Sequence, residues 1–194
     1  PLRVDRRQVR FGEIDGGGSP RVDALRDQLV EAGFEARVYP DIMSLIWTKF
    51  ALNCSINALC ATTGLRLGEI ARLPAMDRFQ DRVIDEVLAV VTRKGVKLSE
   101  SDPRKKIKAH CQGRYNKPSM MQHIEQGRRT EIDALNGALV REAKALGMAV
   151  PCNETIVALV KGLEKSRRQL LHEPPRDYQA LEEEATREQM LHAG

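Results

Sequence analysis

The stretch from Asp41 to Thr63 constrains this chain more than any other. It holds neither Pro nor Gly for about six helical turns, and Gly64 follows at once, where helices leave through a left-handed residue. Ile46, Trp47, Phe50, Leu52, Ile56 and Leu59 make most of it apolar. A helix of that length and character needs other elements around it, so the expected architecture is a helical bundle.

One stripe of this segment is polar. Lys49, Asn53 and Asn57 stand at i, i+4 and i+8. Each step of four advances a helix by only about 40°, so all three project from one face. Asparagines among apolar neighbours are costly to bury unless something bonds them. Either neighbouring backbone does so, or a ligand does.

The rest of the chain after Asp41 is also read as helical. Pro74 opens a helix with Met76, Phe79, Val83, Val87 and Val90 on one face and a stop at Gly95. A loop carrying Pro103, Gly113 and Pro118 comes next. Thr130 is expected to begin a further helix through Ile132, Leu135, Leu139 and Leu146, ending at Gly147. Asn136-Gly137 interrupts its 3.6-residue period, so Gly137 reads as a close helix–helix contact. Asn153 is expected to cap another helix running to Leu163, and Pro174-Pro175 precedes a charged helical tail, Asp177 to Leu191.

The beginning differs. Gln8 to Glu13 and Phe34 to Tyr39 read as short strands. Between them Ser19 caps a helix with Pro20 at its first position, Val22, Leu25 and Leu29 on its apolar face, and Gly33 as its stop. Two strands and one helix cannot bury a sheet alone. The expectation is therefore the end of a larger α/β domain whose start lies outside the chain. That gives three parts: 1–40, a β-α-β remnant; 41–175, the helical domain; and 176–194, the tail.

Composition narrows the functions. Aromatics are 4%, against a β-sandwich and against stacking platforms for single-stranded nucleic acid. No apolar run was expected to reach the roughly 18–20 residues of a membrane span, and Pro1 to Arg10, with four arginines, is no secretory signal. Cys54, Cys60, Cys111 and Cys152 include no Cys-x-x-Cys and fit no zinc spacing, so buried thiols in a reducing cytoplasm, with no metal, are expected. Charge is uneven. Residues 93–129 hold eleven Lys/Arg against three acids, a local +8 that leaves −4 for the remainder of a +4 chain. Such a segment is either a solvated loop or an attractor for a carboxylate, a phosphorylated cofactor or nucleic acid.

A second polar cluster joins Lys117-Pro118-Ser119-Met120 to Thr130-Glu131-Ile132-Asp133. Taken alone, Ser119 reads as a cap and Glu131 as an acid complementing a helix dipole. In order along the chain, Trp47-Thr48-Lys49 with Asn53 and Asn57, Ser119-Met120, Thr130-Glu131-Ile132-Asp133, Asn136-Gly137, Gly147, and Pro151 before Asn153 resemble the ketopantoate reductases (2-dehydropantoate 2-reductases). The resemblance runs from about Phe11 to about Leu163. It implies a nucleotide-binding Rossmann domain for NADPH, followed by a helical domain like the carboxyl-terminal domain of 6-phosphogluconate dehydrogenase.

By that resemblance Lys49 is the catalytic general acid, Asn53 and Asn57 bind a 2-oxo acid substrate, and Ser119 holds its carboxylate. Glu131 serves catalysis and the cofactor end of the cleft. A homodimer is compatible; no nucleic-acid or membrane partner is implied. The chemistry is coherent, because reducing a ketone requires a group that stabilises the developing alkoxide and then protonates it, and an ammonium does both. The sequence departs from the family's pattern at Pro118, at His123 (usually an acid) and at Leu67, which bears on the substrate more than on the reaction type. A related reductase of another 2-oxo acid is the alternative, and a nucleic-acid module using residues 93–129 a weaker one. Gly16-Gly17-Gly18 precedes the last strand and lacks the dinucleotide spacing, so it reads as a plain turn, and the chain alone is expected neither to bind NADPH tightly nor to turn over.

Overall fold

The structure is a computed structural model that describes residues 8–192; the arginine-rich start, residues 1–7, lies outside them. Strand β1 (Gln8–Phe11) pairs in parallel with β2 (Glu35–Val38), joined by helix α1 (Pro20–Glu31), as expected. Gly12 leaves β1 so close to the neighbouring chain that an added Cβ would lie 2.2 Å from the Tyr39 carbonyl oxygen. Only glycine fits there. Ser19 caps α1, and the Glu13 carboxylate bonds both Ser19 and Arg21, fastening that helix start to the end of β1.

Helix α2 (Ile42–Thr63) is the axis of the molecule. Asp41 accepts the Ser44 N–H at 3.0 Å, and Gly64 closes the helix at φ +73. Around α2 stand α3 (Leu67–Ile70), α4 (Pro74–Arg93), α5 (Pro103–Gln112), α6 (Ser119–Glu125), α7 (Asn136–Ala145) and α8 (Pro151–His172). One core cluster surrounds its second half, with Leu59, Ile84, Ile107, Met120 and Ile156. Another surrounds its first half, with Ala51, Val87, Leu139 and Val150. By length and composition α2 could cross a membrane, with mean hydropathy 1.2, contrary to expectation; its apolar side chains supply both cores instead. Helix α9 (Tyr178–His192) forms the expected tail, and its side chains from Tyr178 to Met190 are exposed.

Four expectations about the elements need correcting. The loop over 96–129 contains two helices, because Pro103 and Pro118 start helices rather than break them. Asp102 caps α5 through the Lys105 N–H at 2.9 Å, and Pro118 occupies the cap position of α6. The helix expected from Thr130 begins at Asn136 instead. Thr130 Oγ1 accepts the N–H of Ile132, and Ala134 and Leu135 close a separate turn onto the Glu131 carbonyl. Gly137 then donates to the Ile132 carbonyl at 2.9 Å, so its missing side chain makes room for this turn and not for another helix.

Asn153 does not cap α8, which starts two residues earlier. Glu86 of α4 performs that task, its carboxylate accepting the N–H groups of Cys152 and Asn153 at 2.8 and 2.9 Å. The Asn153 side chain donates to Glu86 and accepts from Asn136, which donates also to the Cys54 carbonyl. These two asparagines are fully buried struts.

Candidate active site

Helix α2 brings the polar stripe from solvent into the core. Lys49 is exposed, Asn53 half-buried, and Asn57 only 7% exposed. Of the two readings left open for the asparagines, uptake by neighbouring backbone is not what the structure shows. Among the described residues no hydrogen bond or ion pair engages the side chains of Lys49, Asn53 or Asn57, whereas Asn153 is bonded through both its side-chain atoms and Asn136 through its amide nitrogen, its buried Oδ1 having no partner. A buried amide with its donors and acceptor uncommitted is the arrangement a polar ligand can use.

The Trp47-Thr48-Lys49 run divides three tasks among adjacent residues. Trp47 packs edge-on against Phe50, with ring centroids 5.2 Å apart. Thr48 Oγ1 accepts both the N–H and the hydroxyl of Ser99, pinning the loop before α5 to α2. Lys49 lines a cavity of about 590 Å³ between α2, the loop at Ser99, α5 and the face of β1. Lys106 and Glu100, paired at 3.3 Å, stand in its wall, as does His110. Burial, then Arg114 and Lys106, push the His110 imidazole toward its neutral form. Asn53 and Asn57 do not line this cavity.

Helix α6 packs along α2 and carries the second group. Ser119 donates to one oxygen of Glu131, and Nδ1 of His123 lies 3.1 Å from the other. The structure thus joins two residues expected to share a site and adds His123, one turn after Ser119 on the same helix. Sequence marked His123 only as a departure; its i+4 spacing from Ser119 was the signal for its place. Glu131 sits in the turn ahead of α7, so it does not complement that helix's dipole. No hydrogen bond or ion pair connects this group to Lys49, Asn53 or Asn57 among the described residues.

The basic segment does not form one field. Arg104 pairs with Asp81 and Asp85, Lys108 with Asp77 and Asp81, Lys94 with Glu142, and Lys117 with Glu125. Acids of α4 and neighbouring helices absorb the charge that the local count placed beside Lys49. Cys54, Cys60, Cys111 and Cys152 are free thiols; burial pushes Cys60 up to about 12 and raises the other three, so none is poised as a nucleophile. No group of three metal-ligating side chains occurs among the described residues. Gly16 and Gly17 donate to the carbonyls of Glu13 and Pro40, so the glycine run is a turn and no phosphate cradle.

An apolar helical axis with an uncommitted lysine–asparagine stripe, and a Ser–Glu pair begun on the helix packed along it, define a helical bundle domain with one polar face on its central helix. Residues 41–164 match the family model described as ketopantoate reductase PanE/ApbA C terminal, and the chain belongs to that family. The 2-dehydropantoate 2-reductase of Archaeoglobus fulgidus is 32% identical over 153 residues, which are 79% of this chain and 51% of that protein. That of Mesorhizobium japonicum is 32% identical over 164 residues, 84% of this chain and 50% of the relative. The chain spans about half the length of the curated relatives it matches. Among solved structures, a PanE/ApbA family ketopantoate reductase from Ralstonia eutropha superposes with a TM-score of 0.73 at 30% identity, covering 83% of this chain and 52% of that one. A D-mandelate dehydrogenase with NADH and anilino(oxo)acetate superposes at 0.70 and 26% identity, covering 83% and 53%.

Proposed function

We propose that this chain is the substrate-binding, catalytic part of an NADPH-dependent 2-dehydropantoate 2-reductase, the enzyme that converts ketopantoate to pantoate for pantothenate and coenzyme A. The observation that carries the reading is the uncommitted stripe Lys49, Asn53 and Asn57 on α2, at the positions where the chain resembles that family. Residues 1–40 are read as the end of the NADP-binding domain, 41–175 as the helical domain and 176–194 as a separate tail. The glycine run of the described residues is a turn and no phosphate cradle, so the cofactor would be held mainly outside them, and Glu131 would serve the cofactor end of the cleft. NADPH supplies the hydride that reaches the keto carbon.

This chain's own residues do the remaining work. The Lys49 ammonium neutralises the charge gathering on the carbonyl oxygen and delivers a proton to it. Asn53 and Asn57, whose amides both donate and accept, fix a substrate bearing hydroxyl and carbonyl groups. Ser119 binds the carboxylate, its single hydroxyl proton turning from Glu131 to the substrate. A cytoplasmic enzyme, alone or as a homodimer, fits the four free thiols.

Binding is testable on the chain as it stands. Adding 2-dehydropantoate should shift the side-chain amide NMR signals of Asn53 and Asn57 while leaving those of Asn136 and Asn153 in place. The Asn57→Ala variant should bind at least about tenfold more weakly, the loss of a hydrogen bond in a desolvated site. Shifts confined to other residues would contradict the assignment. The D-mandelate dehydrogenase likeness makes aryl 2-oxo acids the substrates to run alongside.

A further inference from the structure

The helix α8 continues past residue 164, where the family match ends, and its second half faces the loop 127–129 across a cleft of about 400 Å³. That volume lies within the range of small-molecule sites. The cleft shares no residue with the cavity at Lys49. Its walls carry Arg128, Arg129, Lys161, Lys165, Arg168 and Arg176 beside Glu164 and Glu173, and Asp133 pairs with two of these cations.

Both walls are fixed. At one end the Thr130 N–H donates to Glu164 at 2.5 Å. At the other, His172 Nε2 lies 3.2 Å from the Gln126 carbonyl oxygen, and Gly127, at φ +65, abuts the same imidazole. From Glu164 to His172 the cleft extends about 12 Å along the axis. Lys161, Lys165 and Arg168 follow i, i+4 and i+7 spacing and share the face turned to it.

Of the six cations, two have no ion-pair partner among the described residues and a third is held only loosely. Lys161 and Arg129 pair with Asp133, Arg168 only loosely with Glu173 at 3.9 Å, and Arg176 bonds the Gln169 amide. Arg128 and Lys165 have no ion-pair partner among the described residues. Guanidinium forks bind phosphate oxygens in pairs, and lysines add point charge, so several of both around one elongated cleft suit an anion with charge at successive positions. Elsewhere in the molecule, along residues 93–117, most cations already have carboxylate partners.

We propose that this cleft is a binding site for a small molecule carrying two or more adjacent phosphate groups, separate from the active site. The reading does not rest on the reductase assignment. Isothermal titration of the 194-residue chain with inorganic triphosphate should show one saturable site, at least about tenfold tighter than for orthophosphate, since each further phosphate engages further cations. Lys165→Glu with Arg168→Glu should weaken triphosphate binding by at least about tenfold. Both side chains are exposed, so the fold is not at risk, and circular dichroism checks it.

A control with the same change of net charge, Lys105→Glu with Arg114→Glu, also on exposed residues, should leave binding unchanged. ATP displacing triphosphate from the same site would identify a nucleotide as an accepted source of the phosphates; triphosphate binding without ATP competition would assign the site to inorganic phosphate chains. Equal affinity for orthophosphate and triphosphate, several weak equivalent sites, or equal loss in both double variants would overturn the proposal.

Discussion

Asn57 and Asn136 are the same residue type at nearly the same depth, and the molecule uses them in opposite ways. Asn136 ties α7 to α2 and α8 through the Cys54 carbonyl and Asn153, whereas no hydrogen bond engages the Asn57 side chain among the described residues. Asn136→Ala should therefore cost about 1–3 kcal/mol in urea unfolding, because it strands the groups it serves. Asn57→Ala should cost less than about 1 kcal/mol. The i, i+4, i+8 spacing made the stripe legible in the sequence. Nothing local distinguished Asn153, whose partner Glu86 lies on another helix.

A second residue-scale prediction concerns Glu13. Arg21 first, and then Ser19, hold its carboxyl at about 2 against an ordinary 4.5. The folded-state value is the lower one, so the contact is fully present above about 4.5 and is lost as pH falls toward 2. An NMR titration of the Glu13 side-chain carboxyl should show its midpoint near 2, returning toward the ordinary value in Arg21→Ala. A midpoint near 4.5 in the unaltered chain would contradict the contact.

At the scale of elements, the long helices were readable and the short ones were not. Helix α4 carries an apolar face over 20 residues, enough for periodicity to stand out, and α2 showed as an unbroken apolar stretch, but α8 was legible only to Leu163 although it runs on to His172. Helices α5 and α6, of 10 and 7 residues, are too short to stand alone and form because they pack on α2 and α3. Their prolines looked like breaks. The start of α7 moved from Thr130 to Asn136 because the intervening backbone bonds itself into a turn.

Capping of α8 from α4 gives this scale its prediction. Glu86→Ala should destabilise the chain by about 0.5–2 kcal/mol, the usual worth of a helix cap. Glu86→Ala combined with Asn153→Ala should cost less than the sum of the two, because the side chains serve one network. Strict additivity in denaturant unfolding would show that the two side chains are not coupled, and no loss of stability in Glu86→Ala would show that the carboxylate does not cap α8.

At the scale of the molecule, α9 stands apart from both cores. Its side chains are exposed from Tyr178 to Met190, so ending the chain at Arg176 should shift the melting temperature by no more than about 2 °C. Sedimentation of the two forms then shows whether the tail mediates a homodimer. The bundle itself was legible from the run after Asp41. Of the candidate site, the pairing of Ser119 with Glu131 was legible as one polar cluster, whereas the place of His123 was not, since its contact depends on the turn ahead of α7. Charge was the least legible quantity. A local sum along the chain cannot see that the acids of α4 lie against α5.

The central claim is that Lys49 protonates the reduced carbonyl. Its direct test is NADPH oxidation, followed at 340 nm with 2-dehydropantoate, by this chain joined to the nucleotide-binding domain our reading places ahead of it. Lys49 is exposed and bonded to nothing among the described residues, so Lys49→Ala should fold normally and lose about 10²–10⁴ in kcat, the usual worth of a general acid. Turnover undiminished in Lys49→Ala, or no oxidation of NADPH by the unaltered protein with any 2-oxo acid, would contradict the account.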